Sequence, residues 1–276
     1  MQKPEFFEKE SINETLVRKY FNQETEGLSL QVFPVVDSTN VLLREQAKEG
    51  APDGTVIIAG EQTAGKGRLG RSFYSPSGTG VYLSLLLRQE EPDADLTGRI
   101  TTMAAVAASE AIEKVSGKKA GIKWVNDIYM EGKKVCGILA EGSFSQARGI
   151  LDSVILGIGF NVFLPGKGFP EELSEKAGAI LDSYRDQARE QLAAEFLNRF
   201  FYYYHLPDHK SYVEKYRERC FVTGQKIDVV TPAGRRRALA LSLDENCRLK
   251  VRYEDGKEED LSSGEISIRP VGNWGK

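Results

Sequence analysis

Residues 60–71, GEQTAGKGRLGR, set three cations, Lys66, Arg68 and Arg71, among four glycines. Glycine lets backbone N–H groups approach an anion closely, and lysine and arginine add charge, so the chemistry this stretch suits is anion binding. Two phosphate-binding patterns overlap here. Gly60, Gly65 and Lys66 fit G-x-x-x-x-G-K, and Gly65, Gly67 and Gly70 fit G-x-G-x-x-G. Neither survives inspection. The first needs a hydroxyl after its lysine, where this chain has Gly67, and both must open a helix. The continuation RLGRSFYSPSGTG, with its glycines and Ser-Pro, cannot carry one. What remains is a long glycine-loosened loop bearing cations at a sheet edge. Irregular segments of this length are usually functional or disordered, so a solvated mobile loop is the competing reading.

Three further segments hold chemistry-bearing residues. In KWVNDIYMEGKKVCGIL, residues 123–139, Asn126 and Asp127 stand beside Trp124 just before an apolar strand, and Lys134 opens the next strand ahead of Gly137. An Asp and a Lys flanking one hairpin can bind a metal and a phosphate respectively; a turn with a surface ion pair is the plainer alternative. In GIGFNV, residues 157–162, two glycines interrupt a strand, which marks the close approach of a ligand or of another backbone, with a packing reason as the alternative. DSTN, residues 37–40, reads by itself as a helix cap.

The elements that must position these residues are legible in outline. A short helix is expected over 10–21, then a strand over 28–36 that Pro34 demotes toward an edge. A helix follows DSTN and closes at Gly50, and TVIIA (55–59) and VYLSLLLR (81–88) are strands. Ile100, Met103, Ala107, Ala111 and Val115 recur every three or four positions, giving a helix with one buried stripe that Gly117 ends. Residues 122–162 read as strands joined by tight turns. Residues 183–205 read as a helix whose aromatics, Phe200 to Tyr204, belong to the core. From about Phe221 short strands separated by PAG, DEN and EDG turns predict a small all-β unit of roughly 55 residues, near the lower size that folds alone.

Composition narrows the function class. The 276 residues suffice for one large domain or two ordinary ones, and 41% hydrophobic with 28% charged residues is an ordinary soluble balance. A formal charge of -3 argues against a surface built for nucleic acid, and Arg235 to Arg237 read as a solvated strand. The polar, acidic N-terminus is not a signal peptide, and no apolar run approaches the roughly 20 residues that span a bilayer. Cys136, Cys220 and Cys247, odd in number and scattered, fit a reducing cytoplasm. Two histidines and no C-x-x-C argue against a zinc site.

In order along the chain, DSTN, QTAGKGRLGR, SPSGTGVYLSL, KWVNDI, KKVCGIL and GIGFNV together resemble the biotin protein ligases, over about residues 30–165. DLSSGEISIR, residues 260–269, resembles the family's small C-terminal domain. The resemblance implies an α+β fold: a mixed central sheet flanked by helices, related to class II aminoacyl-tRNA synthetases and lipoate ligases, with a C-terminal SH3-like β-barrel. It implies a catalytic domain over 1–219 and the barrel over 220–276. It also implies a reaction: biotin and ATP, with Mg2+, form biotinyl-5′-AMP and pyrophosphate, and a lysine of a biotin carboxyl carrier protein then takes the biotin. Bringing two anions together calls for concentrated cations rather than a covalent nucleophile.

By the same resemblance Ser38, Thr39, Asn40, Gln62, Gly65, Lys66, Gly67, Arg68, Lys134, Gly137 and Gly157 bind biotin. Arg68, Arg71, Lys123, Trp124, Asn126, Asp127, Lys134 and Asn161 face ATP, Asp127 takes the magnesium ion, and Lys134, Arg68 and Asp127 carry catalysis. The residues 65–71 then form a flexible loop that orders over the adenylate and keeps water from it. The chain departs from the family pattern at Lys66 for arginine, Phe73 for tryptophan and Val125 for proline. Lysine keeps charge without the bidentate fork, and Phe keeps an aromatic face without an N–H. Because 36 residues precede Asp37 and show one helix and no basic cluster, a monofunctional enzyme without a DNA-binding module is expected. No DNA or membrane partner is expected, and a homodimer is left open. The rival functions are a biotin-responsive transcriptional regulator and a lipoate or octanoate ligase on the same fold.

Overall fold

Thr55–Ala59, five β-branched or small residues buried without exception, form strand β2, second from one edge of a seven-stranded sheet. The computed structural model describes residues 12–89, 93, 95–145, 150–208, 211–231, 234–262 and 267–270. The large sheet runs in the order β1 (Ser29–Phe33), β2, β3 (Gly80–Arg88), β7 (Ile150–Asn161), β6 (Lys133–Ser145), β5 (Asp127–Met130), β4 (Gly121–Lys123). Only β1 and β2 pair parallel, so the sheet is mixed. β1 is an edge strand and stops one residue before Pro34, which has no N–H to continue the ladder.

The two faces are covered differently. Helices α3 (Leu96–Ser116) and α5 (Ala188–His205) lie on one face, over Val56, Ile58, Leu83, Leu85 and Leu156. On the other face the shorter α2 (Thr39–Lys48) packs Leu43 against Ile57, Leu86 and Ile155. Fully burying such a leucine contributes about 1.5–3 kcal/mol. α2 covers only part of its face, and the open remainder is where the candidate site lies.

Several expectations need correction. α1 spans only Glu14–Lys19, capped by Asn13, whose side chain accepts from the Leu16 N–H; residues 10 and 11 lie outside the described residues. α3 buries far more than one stripe, including Thr101, Thr102, Ala105 and Ser109, because it is wedged between the sheet and the helices α5 and α6 (Ser211–Arg219). α5 starts at Ala188 rather than 183, after Gln187 adopts a left-handed φ of 57°, and a single turn, α4 (Glu171–Ser174), precedes it. Of the aromatic run, Phe200, Phe201 and Tyr203 are core, but Tyr202 is 46% exposed because it lies on the outer side of the helix.

The C-terminal strands β8 (Lys226–Thr231), β9 (Gly234–Leu243), β10 (Leu249–Tyr253), β11 (Glu258–Leu261) and β12 (Ser267–Pro270) form a second, all-antiparallel sheet in the order β11-β10-β9-β8-β12. This is consistent with an SH3-like unit. β11, EEDL, has too little apolar character to be read from sequence; Glu258 is held there by Arg252 and Lys250. Arg235 pairs with the buried Asp228, while Arg236 pairs with Asp255 and stacks over Tyr253, so the basic run on β9 is spent on local acids. Among the described residues no helix is long and apolar enough to cross a membrane.

Candidate functional site

Register builds the floor of the site. Tyr82 and Ser84 on β3 pair with Gly159 and Gly157 on β7, which pair in turn with Gly137 and Leu139 on β6. Cross-strand partners point to one side of a sheet, so all six share the face that α2 covers only in part. The glycines are needed because other side chains lie flat on that floor. A Cβ on Gly157 would come 2.1 Å from Asn40 Oδ1, and one on Gly159 would come 2.4 Å from the Phe73 ring. At GIGFNV the groups that approach the two glycines are the side chains of Asn40 and Phe73, a packing reason rather than the approach of another backbone.

One lobe of the cleft is lined by Ser38, Thr39, Asn40, Gln62, Lys66, Gly67, Arg68, Phe73, Lys134, Gly137 and Gly157. DSTN does more than cap: Ser38 is the N-cap residue but makes no capping bond through its side chain, and Thr39 and Asn40 on the first turn are buried against the sheet. Gln62 Oε1 accepts from the Thr39 N–H at 2.9 Å and lies 3.1 Å from Thr39 Oγ1, while its Nε2 donates to Ser75 Oγ at 3.0 Å. Ser84 Oγ lies 2.8 Å from Thr39 Oγ1 and 2.6 Å from Asn40 Oδ1. Ser84 was missed in the sequence, although a lone hydroxyl inside an apolar strand must find partners when buried, and that is a readable signal.

The second lobe is lined by Gly67, Arg68, Leu69, Arg71, Phe73, Lys123, Trp124, Asn126, Asp127 and Lys134; Asn126 also lines the first, so Gly67, Arg68, Phe73, Asn126 and Lys134 stand where the two lobes meet. Lys134 Nζ pairs with Asp127 Oδ1 at 2.6 Å across neighbouring strands and lies 5.9 Å over the Phe73 ring. Arg68 Nη1 donates to Asn126 Oδ1 at 3.0 Å, and Asn126 Nδ2 donates to the Ile138 carbonyl at 2.8 Å. Burial lowers the Arg68 pKa, the Asp127 carboxylate opposing part of that effect. The guanidinium stays charged, and a partly desolvated cation is one that an incoming anion stabilises.

The cationic loop is a tight hairpin rather than an open coil. Gly67 N–H donates to the Arg71 carbonyl at 2.7 Å and Phe73 N–H to the Gly65 carbonyl at 2.8 Å, around one 3-10 turn at Arg68–Gly70. Leu69 and Gly70 both adopt left-handed backbone, at φ 57° and 71°. Lys66 and Arg71 are exposed and Arg68 half-buried. Gly65 lines neither lobe; its Cβ would strike the Phe73 carbonyl at 2.5 Å, so it serves the hairpin. Asn161 also lines neither lobe. Its Nδ2 reaches the Lys134 carbonyl at 3.5 Å, on the same face of β7 as Gly157 and Gly159. Trp124 lines the second lobe but its indole N–H is spent on the Cys247 carbonyl of the second sheet at 2.9 Å. The Trp124–Val125 peptide is cis, at the position where the family pattern has proline.

Residues 32–161 match the model of the biotin/lipoate A/B protein ligase family. The chain carries a domain of this family. It is 40% identical over 169 residues to a bifunctional ligase/repressor of Bacillus subtilis, a match covering 61% of this chain and 51% of the relative. A biotin–[acetyl-CoA-carboxylase] ligase of Mycobacterium tuberculosis is 29% identical over 247 residues, covering 86% of this chain and 88% of the relative. Among solved structures, the biotin protein ligase of Aquifex aeolicus in complex with biotin and ATP superposes with a TM-score of 0.73 at 28% identity, covering 88% of this chain and 99% of that one. The chain spans about half the length of the ligase/repressors it matches. Every segment quoted in the resemblance up to Asn161 lies within or beside the matched residues, so the domain of the biotin/lipoate ligase family contains both lobes.

Proposed function

We propose that this chain activates biotin with MgATP to biotinyl-5′-AMP and transfers the biotin to a lysine of a biotin carboxyl carrier protein. The observation that carries the reading is the junction at Lys134 and Arg68, between a polar lobe and a cation-lined lobe. A biotin carboxylate oxygen attacks the α-phosphorus of ATP and the bond to pyrophosphate breaks. The carrier lysine then attacks the acyl carbon as its free amine, AMP leaves, and the amine proton goes to solvent or to the departing phosphate. Neither step needs a covalent enzyme nucleophile. Both need negative charge held together, and Lys134, Arg68 and the flanking Lys66, Arg71 and Lys123 supply the field for that.

Magnesium arrives with the nucleotide. Among the described residues no cluster of three acidic, His or Cys side chains exists, so an all-protein cage is not the pattern. One carboxylate plus nucleotide phosphates is how magnesium is commonly held, and Asp127 fits that pattern once ATP competes for Lys134. Biotin is favoured over a lipoyl or octanoyl acid because Ser38, Thr39, Asn40 and Gln62 put hydroxyls and amides around one lobe. A cyclic urea can add hydrogen bonds to those groups, whereas a dithiolane or an alkyl chain offers them none. The division at 219/220 and a cytoplasmic location, where ATP is available and the three free thiols stay reduced, belong to the same proposal.

Mass spectrometry of the protein with biotin and MgATP, with and without a biotin-carrier domain, tests this. Expected are a bound biotinyl-adenylate and then a biotin increment on the carrier lysine. Adenylate without transfer to any carrier domain would favour a regulator that holds the adenylate. Adenylate with octanoate or lipoate alone would overturn the choice of acid.

A further inference from the structure

The hydrogen-bond network of the polar lobe ends on a charged pair that lines neither lobe. Asn40 and Arg44 lie four residues apart on α2, hence on one face, and both reach Glu141 on β6. Asn40 Nδ2 donates to Glu141 Oε2 at 2.8 Å, and Arg44 Nη2 meets the same oxygen at 2.8 Å. An ionised carboxylate only accepts, so it fixes the Asn40 amide with Nδ2 toward Glu141 and Oδ1 toward Ser84.

That orientation leaves the network one proton short. Three contacts follow in line: Asn40 Oδ1 to Ser84 Oγ at 2.6 Å, Ser84 Oγ to Thr39 Oγ1 at 2.8 Å, and Thr39 Oγ1 to Gln62 Oε1 at 3.1 Å. Gln62 cannot turn to donate there, because its Oε1 also takes the Thr39 N–H and its Nε2 serves Ser75. The only hydrogens on the three contacts are those of the Ser84 and Thr39 hydroxyls. Were the Asn40 amide reversed, its Nδ2 would supply the third, but its Oδ1 would then face the Glu141 carboxylate.

We infer that Glu141 is a positioning residue: by fixing the Asn40 amide it keeps this lobe rich in acceptors, so that the lobe selects a ligand whose buried end donates N–H groups. This rests on the proposed function, and it names how that site separates a cyclic urea from an acid without N–H donors. One hydrogen too few leaves a carbonyl lone pair of this network free in a partly desolvated lobe, and a ligand N–H that takes it gains a hydrogen bond. Glu141→Leu removes the acceptor that holds Asn40 Nδ2, so Asn40 can reverse and the network closes on itself; glutamine would not do this, because Arg44 shares the same oxygen and would keep an amide oxygen there.

The test is calorimetric titration of the full chain with biotin and, separately, with octanoate. In Glu141→Leu the biotin Kd should rise about tenfold with the octanoate Kd and the KM for ATP unchanged, an effect of the size one hydrogen bond carries. The same substitution in an Asn40→Ala background should change the biotin Kd less than about twofold, because the residue acts through Asn40. Arg44→Met breaks the ion pair but leaves the carboxylate, so the preference for biotin over octanoate should persist. Equal weakening of both acids, no change in either, a full effect without Asn40, or lost preference in Arg44→Met would each overturn the inference. Wild-type protein that binds octanoate and not biotin would overturn the proposed function, and this inference with it.

Discussion

Lys134 and Asp127 come from adjacent antiparallel strands and meet at 2.6 Å with both side chains still partly open to solvent. An ion pair so exposed adds little to stability, about 0–1 kcal/mol, so its loss should be visible in chemistry rather than in folding. Lys134→Ala should lower the rate of biotinyl-adenylate formation by at least about a hundredfold, the scale of one lost charge-stabilising group, with the urea midpoint nearly unchanged. Pyrophosphate release and equilibrium unfolding, measured on one preparation, check both halves. Gly159→Ala should behave differently. Its Cβ would sit 2.4 Å from Phe73, a ring already edge-on to Tyr82, so Phe73 must move and close the cleft. The expected cost is about 1–3 kcal/mol in stability together with weakened biotin binding. Phe73→Ala in the same chain should recover much of the stability, and an unshifted single mutant would show that the ring is not seated on the floor.

At the scale of elements, α3 and the cationic hairpin show how far periodicity reads. Apolar spacing and Gly117 predicted α3 to within a residue, because a long amphipathic stretch with a left-handed C-terminal glycine admits little else. Gly117→Ala, at φ 73°, should lower stability by about 1 kcal/mol with no change in turnover, measured by urea denaturation beside a steady-state assay. The hairpin was read as a loop and as an anion site, but its closure by Gly67 and Phe73 N–H groups and the left-handed Leu69 were not legible. Those depend on a sheet edge for residues 62–75 to lie against, which no local pattern announces. β11 was hidden for a related reason, since its charges are neutralised only by residues on β10.

Across the whole molecule, the turn between β9 and β10 touches the cation-lined lobe through the Cys247 carbonyl and Trp124, and Arg248 pairs with Asp95 at the start of α3. All three cysteines are buried and unbridged. Burial pushes the Cys220 thiol up to about 11 and the Cys247 thiol up to about 12, and raises Cys136 well above its ordinary value. Thiols so shifted are poor nucleophiles, so iodoacetamide at pH 8 should label none of the three in the folded chain and all three in urea. The sign of the pH effect follows. Above the ordinary thiol pKa, near 9, the folded chain holds protons that the unfolded chain releases, so stability present below pH 9 should decline as pH rises toward 11–12. Urea midpoints from pH 7 to 10.5 would show it; a flat profile would mean the thiols are accessible.

The sequence by itself marked the segments that the fold brings to the cleft, because glycines set among cations and amides stand out from the apolar strands around them, and strands such as TVIIA and VYLSLLLR state their own burial. It determined the family-like order of those segments and the change of texture near Phe221. Only the tertiary structure decided how the segments divide the work. Strand register put Ser84, Gly157 and Leu139 abreast on one floor, and helix α2 brought Asn40 and Arg44 down onto Glu141, a residue about a hundred positions away. The physical reason is that hydrogen bonds and ion pairs between distant segments depend on distances of a few tenths of an ångström, and only the packed sheet and helices fix those.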